Sequence, residues 1–334
     1  MKNGKAKSQK ISTKRTIFFL ISFLYFTIAS SAIASDYIIH HSLTISLDPE
    51  KSTASIHDIA AIPKSIASSI PNFRLNKNSK IKHISLNGKE ISNGIAGDDF
   101  FRFKLPQHKQ TEKNNINSDK LVSKYTIPLE IANNNMETLF ISGEDYFYPQ
   151  PEIKGKKNFK VIFQIKAETP SNIKVVSQGE KLKDIVQKGT RTTIWEENKP
   201  QEEILIIADY YHEFLNHHGP IALYAYLRDF DRALANRYFK ATKSYIDLYS
   251  KLIAPYPYKK FALVENSQQT GYGMPSFTLL GSRIIRFPFI LHTSYPHEIL
   301  HNWFGNGVYI HPNSGNWAEG LTSYLADHLL LEQA

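Results

Sequence analysis

The hydrophobic period of this chain changes once, near residue 215, and that change limits it to a two-part fold. From residue 36 to about 207, short apolar segments alternate in steps of two, as in His41-Ser42-Leu43-Thr44-Ile45-Ser46-Leu47, Ile84-Ser85-Leu86, Phe159-Lys160-Val161-Ile162-Phe163-Gln164-Ile165 and Glu203-Ile204-Leu205-Ile206-Ile207. Asp48-Pro49 and Asn87-Gly88 close the first two. Successive side chains of a strand point to opposite faces, so this pattern predicts antiparallel strands and an all-β, sandwich-like first half. Residues 107–120, rich in Asn, Lys and Gln, predict a solvated loop. From Tyr224 the step lengthens to three and four through Leu227, Phe230, Leu234, Tyr238, Phe239, Tyr245 and Leu248 as far as Leu252. That spacing predicts one long amphipathic helix stopped by Pro255 and Pro257. Phe261-Ala262-Leu263-Val264 predicts a buried strand and residues 276–280 a second, ended by Gly281. No repeat at solenoid or propeller spacing occurs.

A chain of 334 residues with 42% hydrophobic and 12% aromatic residues can build a core, which excludes disorder for its bulk. The net charge of +9 suggests nucleic acid until its placement is read. Six of the 40 basic residues (Lys2, Lys5, Lys7, Lys10, Lys14 and Arg15) lie in residues 1–34 with no acid among them, leaving 34 basic against 31 acidic residues, or +3. That near-neutral remainder gives no electrostatic reason to expect a nucleic-acid partner. The basic start runs into an apolar stretch, Ile17-Phe18-Phe19-Leu20-Ile21-Ser22-Phe23-Leu24, and then small residues with Ala32 and Ala34 spaced for cleavage. Residues 1–34 read as a secretory signal, with an uncleaved N-terminal membrane anchor as the competing reading. The chain is therefore expected to be exported, periplasmic or secreted, and to meet a membrane only through this segment. With no Cys, an export-competent chain of this size must rely on its core rather than on disulfides.

The segment that carries chemistry is His297-Glu298-Ile299-Leu300-His301. On a helix, residues four apart share a face, so both imidazoles can reach one metal with Glu298 beside them. Ser294 is positioned to cap such a helix, Pro296 fits its first turn, and Gly305 or Gly307 can end it. Two histidines need a third ligand. Glu319, in Asn316-Trp317-Ala318-Glu319-Gly320, lies on a second predicted helix with Trp317, Leu321, Tyr324, Leu325 and His328 along one stripe behind it, and completes the two-His, one-Glu set of a catalytic zinc.

The run His297-Glu298-Ile299-Leu300-His301-Asn302-Trp303-Phe304-Gly305-Asn306, followed by Glu319-Gly320-Leu321-Thr322-Ser323-Tyr324, resembles the gluzincin aminopeptidase family, which includes aminopeptidase N and leukotriene hydrolase. The Tyr-x-Gln-x-Glu element at 148–152, Pro255-Tyr256-Pro257-Tyr258 and a Gly-Met strand before the zinc helix follow the family's order. The resemblance implies an α+β multidomain chain: an N-terminal antiparallel β-sandwich-like domain over 35–215, then an incomplete thermolysin-like zinc-peptidase domain over 216–334. It also implies one Zn²⁺ held by His297, His301 and Glu319, Glu298 as general base, and a peptide substrate held along the backbone of Gly273 and Met274.

Three departures from the family pattern stand out. Residues 302–318 number seventeen where the family usually has eighteen, a one-residue loop deletion. Tyr272-Gly273-Met274-Pro275-Ser276 places Pro275 where the family's Gly-Ala-Met-Glu-Asn strand carries the Glu that binds a substrate's α-amine. Glu152 and Glu265 are candidate replacements, and Gln150 a candidate hydrogen-bond partner for an amine. The helix of Glu319, expected over 317–331, meets Ala334 without a stop signal and without the family's oxyanion-stabilising Tyr, so the chain is expected to be a truncated member.

Other features take blander readings. His212 and His217 are five apart, off a common helical face, and predict a solvated interdomain turn. His40 and His41 alternate across a strand. Asp327, eight residues past Glu319, is a candidate to orient a ligand His, though a solvated acid fits as well. His311 falls in the loop between the ligand helices and takes no role. Tyr148, Tyr272 and Phe277 are candidates for a side-chain pocket or for core. The expected function is an aminopeptidase-like zinc metallopeptidase. The alternatives are an inactive, peptide-binding remnant and a zinc hydrolase of a non-peptide substrate.

Overall fold

The computed structural model describes residues 38–67, 69–106, 117–130, 137–152, 159–311 and 313–328. The signal segment, most of the 107–120 loop (residues 107–116) and the tail from 329 lie outside them. The chain is mostly sheet, 49% strand against 21% helix.

The alternation read in the first half builds an eight-stranded sheet in the order Glu180–Gln187, Thr190–Gln201, Lys160–Pro170, Ile38–Asp48, Thr53–Pro63, Ser118–Pro128, Lys80–Leu86 and Lys89–Glu90. In Ile38–Asp48 the inward positions are Ile39, His41, Leu43, Ile45 and Leu47, all buried, as a pleat of period two requires. Residues 118–120, expected in a loop, are instead strand, because Asp119 and Leu121 continue the inward register of Ser123, Tyr125 and Ile127. Two hairpins close on left-handed pairs, Asn87-Gly88 (φ 51° and 80°) and Lys188-Gly189 (φ 49° and 81°), matching the right-handed twist of their strands. One pairing departs from the antiparallel expectation: Ile38–Asp48 runs parallel to Lys160–Pro170. A four-stranded sheet, Gln150–Glu152, Asn72–Asn76, Phe100–Lys104 and Gly94–Ala96, faces the large sheet, and Phe73, Leu75 and Phe103 join its core.

A three-stranded sheet (Lys174–Val176, Ile206–Asp209, Leu139–Ile141) joins the two halves. Val175, Ile206 and Ala208 enter the first core, while Val176 and Ile207 enter a second with Tyr224, Tyr226, Ala262, Val264, Phe277 and Leu279. Those last six belong to a five-stranded sheet in the order His212–His218, Ile221–Leu227, Lys260–Asn266, Phe277–Gly281, Gly271–Met274. Its three middle strands are parallel and its edges antiparallel. The change of period near 215 thus falls inside the sheet's first strand, and the turn expected at His212 to His217 is that strand, paired from His212↔Leu227 to His218↔Ile221.

The long helix begins at Arg232, not Tyr224. Ile221-Ala222-Leu223-Tyr224-Ala225-Tyr226-Leu227 is covered on both faces as a central parallel strand, and a run buried on both sides can mimic helical spacing. The start is set by Asp231, whose Oδ1 accepts from the Leu234 N–H at 2.8 Å. From there Leu234, Ala235, Tyr238, Phe239, Thr242, Tyr245, Ile246 and Tyr249 form the buried stripe, which packs on the sheet and on the short helix Ser294–Leu300.

Candidate metal centre

Helix Ser294–Leu300 has only seven residues, too few to be stable by itself, so packing holds it. Tyr295, Ile299 and Leu300 are fully buried. The Tyr295 hydroxyl hydrogen-bonds Thr242 Oγ1 on the long helix at 2.5 Å, and its ring meets Tyr238 edge-on at 4.7 Å. Just beyond, the Trp303 indole N–H donates to the Ala254 carbonyl at 2.8 Å and its ring packs on Tyr249 and Tyr256. Thr293, not Ser294, holds the cap position, without a side-chain cap bond.

That anchored helix turns its other face outward with His297, Glu298 and His301. The His297 and His301 Nε2 atoms are 3.2 Å apart; Glu319 Oε2 is 3.2 Å from the first and Oε1 3.3 Å from the second. Glu319 arrives on helix Trp317–Ser323, seated by Trp317 against the Phe304 ring at 6.1 Å. Tetrahedral ligands at about 2.0–2.1 Å from a zinc ion are about 3.3 Å from one another, close to the separation of the two imidazole nitrogens and to the reach from each of them to one or other oxygen of Glu319; one ligand atom from each of the three residues lies within 4.8 Å of the others. His301 Nδ1 lies 3.1 Å from the Phe304 carbonyl oxygen; with the proton there, Nε2 is left as a lone-pair donor. Burial, and then the neighbouring His301, push His297 below the usual imidazole range, favouring the neutral form a metal needs.

Glu298 lies under the edge strand Gly271–Met274. A Cβ on Gly273 would sit 2.8 Å from Glu298 Oε2 and 2.9 Å from His301 Cβ, so only glycine lets the strand pass this close. Cover by that strand is part of the burial that, ahead of the Glu319 charge, pushes the Glu298 carboxyl up to about 7. The strand's far side is an open sheet edge, although the Gly273 carbonyl already accepts from Asn306 Nδ2 at 3.1 Å. Asn306 stands inside the motif of the first helix, but spacing gave no sign of this contact.

The remaining sequence candidates are engaged elsewhere. Glu152 is held by Arg102 (2.7 and 2.9 Å), Arg74 (3.0 Å) and Asn72 (3.0 Å), which together outweigh its burial and keep it below the ordinary carboxylate range. Gln150 Nε2 donates to the Gly143 carbonyl. Glu265 is buried against Arg286 at 2.7 Å and the Arg228 N–H at 2.8 Å. Tyr148 and Phe277 are core, whereas Tyr272, with Met274, Glu203 and Glu144, lines a cavity of about 360 Å³ beside the edge strand. His311 and Asp327 are exposed, and among the described residues no hydrogen bond ties Asp327 to either histidine.

Solved structures of similar shape carry the comparison. An M1 zinc metallopeptidase from Deinococcus radiodurans superposes with a TM-score of 0.65 at 13% identity, over 88% of this chain and 70% of its own. The fold is that of the M1 zinc metallopeptidases. A two-domain M1 zinc metallopeptidase with a Glu-to-Ala substitution, bound to L-arginine, gives 0.66 at 13% over the same shares. The Deinococcus radiodurans Glu-to-Ala mutant bound to a Tyr-Ser-Ala substrate gives 0.62 at 12%. The sequence matches no protein-family model and no curated protein. At these identities the M1 likeness is one of fold: the β-sheet N-terminal domain and part of the peptidase domain.

Proposed function

We propose that this chain is a zinc-dependent metallopeptidase that hydrolyses peptides in an aminopeptidase-like manner, with one Zn²⁺ held by His297, His301 and Glu319. The observation that carries the reading is the convergence of His297, His301 and Glu319, one ligand atom from each within 4.8 Å of the others, with Glu298 enclosed beside them. When bound, the zinc supplies Lewis acidity, which acidifies water and polarises a carbonyl. Glu298 takes the proton of the attacking water on its carboxylate and returns it to the leaving amine. The Gly271–Met274 edge receives the substrate backbone as an added strand, with Gly273 giving the closest approach to Glu298.

One observation favours a second reading of the substrate. Pro275 stands where the family places its amine-binding Glu, and both candidate replacements, Glu152 and Glu265, are neutralised by arginines. Peptides with blocked N-termini are substrates under that reading. In both, residues 1–34 direct export to the periplasm or medium.

The test is zinc content with turnover of free and blocked peptide reporters on the exported protein. One zinc with turnover is expected, and the preferred reporter separates the two substrate readings. Glu298→Ala keeps the zinc and loses about 10²–10⁴-fold in kcat. His301→Ala loses the zinc. Turnover surviving in Glu298→Ala would overturn the mechanism.

A further inference from the structure

The edge strand that covers Glu298 is reached through an awkward turn. Met274-Pro275-Ser276-Phe277 reverses the chain with Ser276 at φ +67°, the left-handed region where glycine is usual. Ser276 is fully buried, and its N–H, hydroxyl and carbonyl are all hydrogen-bonded. Its N–H donates to Asn302 Oδ1 at 2.8 Å, and Lys260 Nζ donates to its Oγ at 2.7 Å and its carbonyl at 3.2 Å. The Gly179 N–H also reaches Ser276 Oγ, at 3.1 Å. Asn302, likewise without exposure, directly follows His301. Both ends of its amide are engaged: Oδ1 also accepts from Tyr256 OH at 3.2 Å, and Nδ2 donates to the Ile299 carbonyl of its own helix at 2.9 Å.

We infer that Asn302 is a positioning residue: it pins the turn at Ser276 to the end of the metal-site helix, and so fixes the height of the substrate-docking edge over Glu298. The inference rests on the metallopeptidase reading for its purpose but not for its geometry. Ser276 is three residues from Gly273, the point of closest approach, whose own carbonyl is held by Asn306 Nδ2 at 3.1 Å; among the described residues no side chain of 294–306 other than Asn302 hydrogen-bonds the turn itself. Asn302 touches neither zinc nor substrate in this scheme. It acts through Ser276.

The experiment measures amide hydrogen exchange across residues 271–277 in the full-length zinc-loaded chain, alongside KM and kcat on the reporter peptide. Asn302→Ala is expected to keep one zinc, to speed exchange of these amides at least tenfold while leaving Ile221–Leu227, a strand away from the turn, protected, and to raise KM about tenfold with a smaller change in kcat. If Asn302→Ala does not fold, Asn302→Ser, polar but too short to reach the turn, replaces it. Unchanged protection of 271–277, or an equal rise over Ile221–Leu227, would overturn the inference and leave Asn302 an ordinary core residue. Absence of turnover in the unmutated protein would sink the metallopeptidase reading, while the exchange comparison still decides the role of Asn302.

Discussion

Lys260 shows how far a single residue's chemistry can depart from its sequence appearance. It sits in a hydrophobic strand run, is fully buried between the Trp195 and Phe277 rings at 5.2 and 5.3 Å, and burial outweighs nearby Glu197 to bring its ammonium down to about 7. Between about pH 7 and the unfolded value of 10.5 the unfolded chain therefore binds a proton that the folded chain does not. Stability contributed by this group is present above the unfolded value and is lost as pH falls from there to about 7, with a slope of at most about 1.4 kcal/mol per pH unit. Urea unfolding of wild type and Lys260→Met from pH 6 to 10 should show the variant gaining relative stability towards low pH. A difference independent of pH would mean that Lys260 is not buried as a neutral amine. The same gap separates Glu152 and Glu265 from their sequence reading: each is a carboxylate near a promising motif, and each is claimed by arginines that only folding brings near.

At the scale of elements, the edge strand Gly271–Met274 is the sensitive part. Its two glycines are not equivalent: a Cβ at Gly271 would meet Glu298 Oε1 and Leu280 at 3.4 Å, ordinary contact, whereas at Gly273 it would press the backbone-proximal His301 Cβ at 2.9 Å. Gly273→Ala should lower kcat/KM at least tenfold with zinc still bound, and Gly271→Ala should stay within about threefold of wild type. Equal effects at both positions would show that the strand is not held against the helix as described. The long helix shows a different limit. Its buried stripe was legible from spacing, but its start was not, because Ile221–Leu227 is apolar on both faces and only the cap at Asp231 marks where the period truly changes.

At the scale of the molecule, the β-rich first half and the sheet beneath the metal site share a core. Trp195, on the large N-terminal sheet, packs edge-on against Tyr224 of the five-stranded sheet at 6.4 Å, and its indole donates to the Val175 carbonyl at 3.0 Å. Both halves should thus unfold as one unit. Trp195→Ala is expected to cost about 3–5 kcal/mol and to shift the loss of far-UV ellipticity and of zinc to the same lower urea concentration. Two separated transitions would mean that the shared core does not couple them.

Much of this protein follows from local pattern. Period-two alternation with Asn-Gly and Asp-Pro turns determines the first half's strands, since a pleat offers only two faces. His-Glu-x-x-His determines a shared helical face, since residues four apart stack on one side. What tertiary structure alone decided is everything that depends on distant partners. The third donor's distance, the arginines on Glu152 and Glu265, the parallel pairing of Ile38–Asp48 with Lys160–Pro170, and the Asn302 to Ser276 bond join residues from 18 to 122 positions apart. No local propensity encodes such pairs, because their free energy exists only once the chain has closed the loops between them.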